Sequence, residues 1–168
     1  MRRALAALIM LTVACGGSAG PAAPPVGGAD IACSTEWCVE YPLGWEVEEG
    51  GTFLSFGHPD APESAFASVG IVDMRAMVES TGGRWPTAPE NAARAFWDLI
   101  GGGDASLSRI MTVEAGVRSE GELDGLRLWH LLIPTSGGDA VGIEVRGPNT
   151  TWEAHAEVFL RGLIGPAG

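Results

Sequence analysis

Leu126-Arg-Leu-Trp-His-Leu-Leu-Ile133, a turn at Ser136-Gly-Gly-Asp139 and Ala140-Val-Gly-Ile-Glu-Val-Arg146 make up the stretch that decides the fold. The second run alternates cleanly, with Val141, Ile143 and Val145 on one face, the pattern of a strand with one buried side. The first run is strongly apolar and follows a tight Asp124-Gly125 turn. With turns this short the two runs read as neighbours in an antiparallel meander. Arg109-Ile-Met-Thr-Val-Glu-Ala115 alternates more loosely and supplies a third strand of the same meander.

Helical spacing flanks this block. Before it, Ala92, Ala93, Phe96, Trp97 and Ile100 recur at intervals of three and four, one apolar stripe of an amphipathic helix. Thr87-Ala-Pro-Glu90 has the residues of a capping box, and Gly101-Gly-Gly103 stops the run. After the meander, Trp152, Ala156, Phe159, Leu160 and Leu163 form a second stripe, capped by Thr150 or Thr151 and ended by Gly165-Pro166. Such stripes are core-packing faces.

Towards the N-terminus, Trp37 to Glu48 alternates around a Pro42-Leu-Gly44 turn and predicts two short strands. Thr52-Phe-Leu-Ser-Phe56 is another strand. Phe66-Ala-Ser-Val-Gly-Ile-Val72 is nearly continuously apolar, which predicts a strand covered on both faces. Gly57-His-Pro-Asp-Ala-Pro-Glu63 between them reads as an exposed loop.

Tyr41-Pro-Leu-Gly-Trp45 between short strands, a central helix, a meander through Gly125 and a closing helix with Trp152 together resemble the PsbP-like fold over roughly residues 36 to 164. The local signature is Pro42, Gly44 and Trp45. The family is named for a photosystem subunit, and bacterial lipoproteins of unassigned role share its architecture. The resemblance implies an α+β domain, an antiparallel sheet of about six strands packed between helices, and it brings no catalytic residues to this chain.

The first fifteen residues carry an address. Arg2 and Arg3, an apolar run and Ala14 before Cys15 form a signal peptide, since a spanning helix needs about 20 apolar residues. Thr12-Val-Ala-Cys15 resembles a bacterial lipobox, although Thr12 stands where that motif usually has leucine. The resemblance implies a diacylglycerol on Cys15 and cleavage before it; the alternative is an ordinary secretory signal. Residues 1–14 are thus expected to be a leader, 15–30 a lipidated cysteine followed by a flexible Gly/Pro/Ala tether, and 31–168 a single α+β domain. A flexible tether of this length reaches roughly 20 Å.

Loss of Arg2 and Arg3 lowers the basic count from 10 to 8 against 21 acidic residues, a net charge of −13. No basic face remains for phosphates, so nucleic acid is excluded as a partner. Acidic headgroups also repel such a surface, which leaves the lipid as the membrane attachment. With Cys15 assigned to lipid, Cys33 and Cys38 remain, an even pair that predicts a small disulfide loop in an oxidising compartment.

Chemistry-bearing residues are few. His58, Asp60 and Glu63 share one loop and are weak metal candidates; the alternative is a solvated loop. His130 sits in the most apolar strand without a carboxylate two residues away, and His155 flanks the last apolar stripe. Gly16-Gly-Ser-Ala-Gly20 matches a nucleophile-elbow pattern but lies in the tether, where no strand or helix can present it. Arg84 and Trp85, in a turn-rich segment, are candidate binding anchors, the alternative being that Trp85 staples the helix begun at Thr87.

These residues point to a lipid-anchored domain on the extracytoplasmic side of the cell membrane, binding an envelope protein or a small ligand, without catalysis or cofactor. Two alternatives are a carrier of a small apolar ligand, and an enzyme whose site gathers distant residues such as His58, Asp60, Glu63 and His130.

Overall fold

The computed structural model describes residues 20–50, 52–101 and 104–164. The leader, Cys15, the start of the tether, the Gly102–Gly103 stop and the Gly165–Pro166 stop lie outside the described residues. In chain order the elements are β1 Ala29–Cys33, β2 Cys38–Pro42, β3 Glu46–Glu49, β4 Phe53–Gly57, β5 Phe66–Val72, α1 Met74–Ser80, α2 Pro89–Gly101, β6 Ser106–Val113, β7 Gly116–Leu123, β8 Leu126–Pro134, β9 Ala140–Gly147, α3 Glu153–Phe159 and β10 Leu163–Ile164.

Seven strands form one antiparallel sheet in the order β3-β4-β5-β9-β8-β7-β6, and β1-β2-β10 form a small second sheet. The meander is β6 to β9, with tight turns at Asp124-Gly125 (φ 53° and 77°) and at Gly138. The Pro42-Leu-Gly44 turn separates two sheets: β2 pairs with β1 and β10, whereas β3 forms the far edge of the large sheet. Gly44 has a φ of 92°, which suits glycine, and Trp45 N–H closes the turn on Pro42 O at 3.2 Å.

The two faces of the large sheet are unequally covered. On one face α3 and the small sheet enclose Trp45, Phe56, Trp129, Ile143, Trp152 and Phe159. Phe159 is wholly buried and meets the rings of Trp45 and Phe56 edge-on, with centroids 5.2 and 5.0 Å away. Burial of such a side chain contributes about 2–3 kcal/mol. On the other face Phe96, Trp97, Val117, Leu128 and Leu132 pack beneath α1 and α2. Helix α2 lies over β6 and β7, and α1 packs on α2.

This second layer stops short, so the expectation that β5 is covered on both faces is corrected. Ala67 and Val69 are buried on the α3 side, while Ser68, Gly70 and Val72 on the opposite side are only half buried.

Helix starts also differ from the expected caps. Asp73 caps α1, its side chain accepting from Ala76 N–H at 2.8 Å. The Thr87–Glu90 capping box does not form. Ala88 O accepts the first helical N–H groups, Asn91 Nδ2 donates to Thr87, and Thr112 donates to the Glu90 carboxylate at 2.6 Å. Before α3, Asn149 rather than a threonine caps the 3-10 turn Thr150–Trp152, accepting from Thr151 N–H at 2.9 Å.

Within the expected tether of 15–30, residues 20–30 are described, and the stretch from Gly20 to Pro24 is held against the domain. Asn149 Nδ2 donates to Gly20 O at 2.8 Å, Trp152 Nε1 donates to Pro21 O at 3.1 Å and Ala23 N–H donates to Thr151 Oγ1 at 2.9 Å. The chain is strapped to the domain from Gly20, because its backbone carbonyls satisfy donors at the start of α3.

Candidate functional site

Cys15 lies outside the described residues; the other candidates take definite places. The Cys33–Cys38 disulfide is formed, closing the β1–β2 hairpin where the two residues face one another in register. Arg84 is exposed on a groove with Arg94 and Asp98. Trp85 is half buried against the α1–α2 cluster, so it packs rather than projects.

The expectation that His58 faces solvent with Asp60 and Glu63 is corrected. The loop is exposed at Pro59, Asp60 and Glu63, but the His58 ring is buried among Trp45, Trp152 and His155. Its Nδ1 accepts from Asp60 N–H at 3.2 Å. Burial lowers the His58 pKa, against an opposing pull from the Asp60 charge and with a smaller push from His155. Among the described residues no three His, Cys, Asp or Glu side chains converge as a metal site.

His155 is also built into the core. Trp45 Nε1 donates to its Nδ1 at 3.1 Å, and Pro24 O lies 2.8 Å from its Nε2. An indole N–H can only donate and a carbonyl can only accept, so Nε2 carries the proton.

His130 occupies the most distinctive position. On the helix-side face, the register aligns Ser55, Ser68, Glu144, His130 and Ser119 in one row across β4, β5, β9, β8 and β7. The imidazole is 1% exposed and stacks on Phe96, with centroids 3.6 Å apart and planes within 4°. Its Nδ1 lies 3.3 Å from Ser119 Oγ, which accepts from Trp97 Nε1 at 2.8 Å. Burial pushes the His130 pKa down to about 3, so the ring is neutral at any ordinary pH.

Where the helix layer ends, a groove of about 300 Å³ opens over this row. Gly70 and Gly142, paired across β5 and β9, form a floor without side chains; Phe53, Val72 and Phe96 are its apolar walls, and His130 and Glu144 its polar edge. A Cβ at Gly142 would stand 2.8 Å from Val72 Cγ2 and 3.8 Å from His130 Nε2, so the imidazole edge borders the floor. The Glu144 carboxylate is paired with Arg146 at 2.6 Å. The sequence offered no direct sign of this groove, because its floor is defined by the pairing of two glycines 72 residues apart in number.

Ser119, His130 and Glu144 are the residue types of a hydrolytic triad, but their arrangement is different. Ser119 is wholly buried behind the imidazole and beneath Trp97, so its hydroxyl does not reach the groove; Ser68 lines the groove, but no hydrogen bond joins it to His130.

No family model and no curated protein matches the chain. Among solved structures, that of cyanobacterial PsbP (CyanoP) from Synechocystis aligns with a TM-score of 0.56 at 13% identity, over 90% of this chain and 96% of that one. A Bacteroides thetaiotaomicron structure aligns at 0.42 and 14% identity, over 85% of this chain and 50% of that one, too low a score to support an argument. The domain has the PsbP-like fold, as the Pro42-Leu-Gly-Trp45 turn and the element order implied.

Proposed function

We propose that this chain is a lipid-anchored, extracytoplasmic binding domain without catalytic activity, whose ligand seats on the uncovered helix-side face of the large sheet. The groove over Gly70 and Gly142 carries the binding part of this reading. It combines apolar walls with a few polar atoms, the composition of a recognition site. His58 and His155 are bonded within the core and the Ser119 hydroxyl is sequestered, which argues against acid–base or nucleophilic work by these groups.

The anchor rests on the leader, with Cys15 as the lipid acceptor. The Cys33–Cys38 bridge fits an oxidising compartment. The strap at Gly20 tightens the geometry, because the five residues from Cys15 to Gly20 span at most about 18 Å even when fully extended. A lipid on Cys15 therefore holds the start of α3 close to the bilayer.

A photoreactive benzoylphenylalanine at position 53 of the full chain, irradiated in intact cells, tests the reading. The expected result is an adduct in the membrane fraction, stronger than from the same probe at exposed Glu36, with Cys15→Ala giving an unprocessed precursor without fatty-acid labelling. Equal labelling from positions 53 and 36 would remove the groove from the reading, and normal maturation of Cys15→Ala would remove the anchor.

A further inference from the structure

We propose that the groove over Gly70 and Gly142 binds a flat, uncharged ring that presents a carbonyl-type acceptor to His130 Nε2 and runs an apolar tail along Val72 and Phe96. The proposal rests on the groove being the binding site and names the chemical class of its ligand.

The acceptor follows from the hydrogen-bond chain beneath the groove. Ser119 is wholly buried, and its oxygen already accepts from Trp97 Nε1. Its own proton needs an acceptor, and His130 Nδ1 at 3.3 Å is the one in reach. With Nδ1 accepting, the neutral imidazole carries its proton on Nε2. That N–H borders the groove floor and has no hydrogen-bond partner among the described residues. Nε2 is the one polar atom of the ring that opens on the groove, where it can donate to what binds there. A ligand carbonyl would accept from it.

The flat shape follows from the floor. The two paired glycines bring no side chain of their own and are closely flanked by Val72 Cγ2 and Phe53 Cβ, which narrows the groove to a slot beside the stacked pair of His130 and Phe96, a shape that takes a flat ring. At about 300 Å³ the groove is at the small end of ligand sites and suits one or two fused rings.

Charge is excluded from both sides. The imidazole stays neutral and so offers no cation to an anionic ligand. Glu144 is already paired with Arg146, which also lies 5.2 Å over the Phe66 ring, so neither charge is spare. The tail follows from continuity: Val72 and Phe96 also line a second groove of about 490 Å³ between α1 and α2, bounded by Met77, Leu99 and Ile100. Leu99 is 56% exposed there, a large apolar side chain that a tail would cover.

The full chain in lipid nanodiscs would be titrated with menadione (2-methyl-1,4-naphthoquinone), 2-methylnaphthalene and 2-naphthoate. Two readouts are followed, the ¹⁵N shift of His130 Nε2 and quenching of tryptophan emission. Menadione is expected to saturate both, at least tenfold more tightly than 2-methylnaphthalene, with no saturable shift from 2-naphthoate. His130→Phe should reduce menadione quenching to the 2-methylnaphthalene level. Because that variant also disturbs Ser119, Ser68→Leu serves as a second variant that fills the half-exposed side of the groove and should abolish binding of both rings. Equal affinity for menadione and 2-methylnaphthalene would overturn the ligand class and leave the groove as a binding site. No saturable shift with any probe would overturn the proposal; whether the groove binds anything then rests on the photo-adduct from position 53.

Discussion

The indole Nε1 of Trp97, on helix α2, donates to the Ser119 hydroxyl on strand β7 at 2.8 Å, a polar contact inside an otherwise apolar layer. Gly121, two residues on, lies under the same ring, and a Cβ there would come within 2.6 Å of Trp97 Cη2 and would clash with Ser106 O. One tryptophan thus dictates two residues of β7. Ser119→Ala strands the buried indole N–H and should cost about 2–3 kcal/mol. Gly121→Ala must displace backbone as well as the ring, and a similar or larger loss is expected. Urea denaturation should show lower midpoints for both with an unchanged m-value.

The same contact explains why β7 is hard to read. Its buried positions are Val117, Ser119, Gly121 and Leu123, so a polar and a vanishing side chain interrupt the alternation that identifies β9. Helix α1 is also missed, since seven residues with Met74, Met77 and Val78 buried give too few turns for a period to emerge. Strand β1 is nearly all exposed and offers no pattern. The strap at Gly20–Pro24 binds through carbonyls, which no side-chain pattern encodes. In contrast, the β8–β9 hairpin, the α2 stripe and the Cys33–Cys38 pair are legible because each rests on side-chain type at fixed spacing. The groove is a product of tertiary assembly: it needs the β5–β9 register together with the placement of Phe96 of α2 beside it.

Buried neutral histidines make stability depend on pH in a definite sense. His130 titrates near 6.5 when unfolded and near 3 when folded, so between these values the unfolded chain binds the extra proton. The stabilisation is complete above pH 6.5 and is lost as pH falls towards 3, on the order of 5 kcal/mol at the limit. His58 is lowered too and acts in the same direction. Urea midpoints at pH 4.5 and 7.5 should differ markedly in the natural chain, and His130→Phe should shrink that difference. Carboxylate titration is common to both proteins and cancels in the comparison. An unchanged difference would mean that His130 is not buried neutral.

The Cys33–Cys38 bridge spans five positions, so it closes a short loop at the edge of the small sheet. Loop-closure entropy for so few residues is worth about 2 kcal/mol. The double variant Cys33→Ser, Cys38→Ser should lose about that much by urea denaturation and keep its far-ultraviolet circular dichroism. Equal thiol labelling of the natural protein with and without reductant would count against the bridge.

Asn149 joins the strap to the helix start through two different atoms. Its Oδ1 accepts from Thr151 N–H and Oγ1 at 2.9 and 2.6 Å, while its Nδ2 donates to Gly20 O at 2.8 Å and to Pro21 O at 3.3 Å. Asn149→Asp keeps an acceptor for the cap and replaces the donor with a carboxylate facing two carbonyls. The cap itself should survive, since aspartate is as good an N-cap as asparagine. Asn149→Ala removes cap and strap contact together and should cost about 1–2 kcal/mol. Limited proteolysis should separate the two roles: both variants are expected to speed cleavage between Gly20 and Gly28, and only Asn149→Ala should also lower the urea midpoint by that amount. If Asn149→Asp leaves cleavage unchanged, Trp152, His155 and Ala23 hold the strap without it, and the distance the domain keeps from a lipid on Cys15 is set by those residues instead.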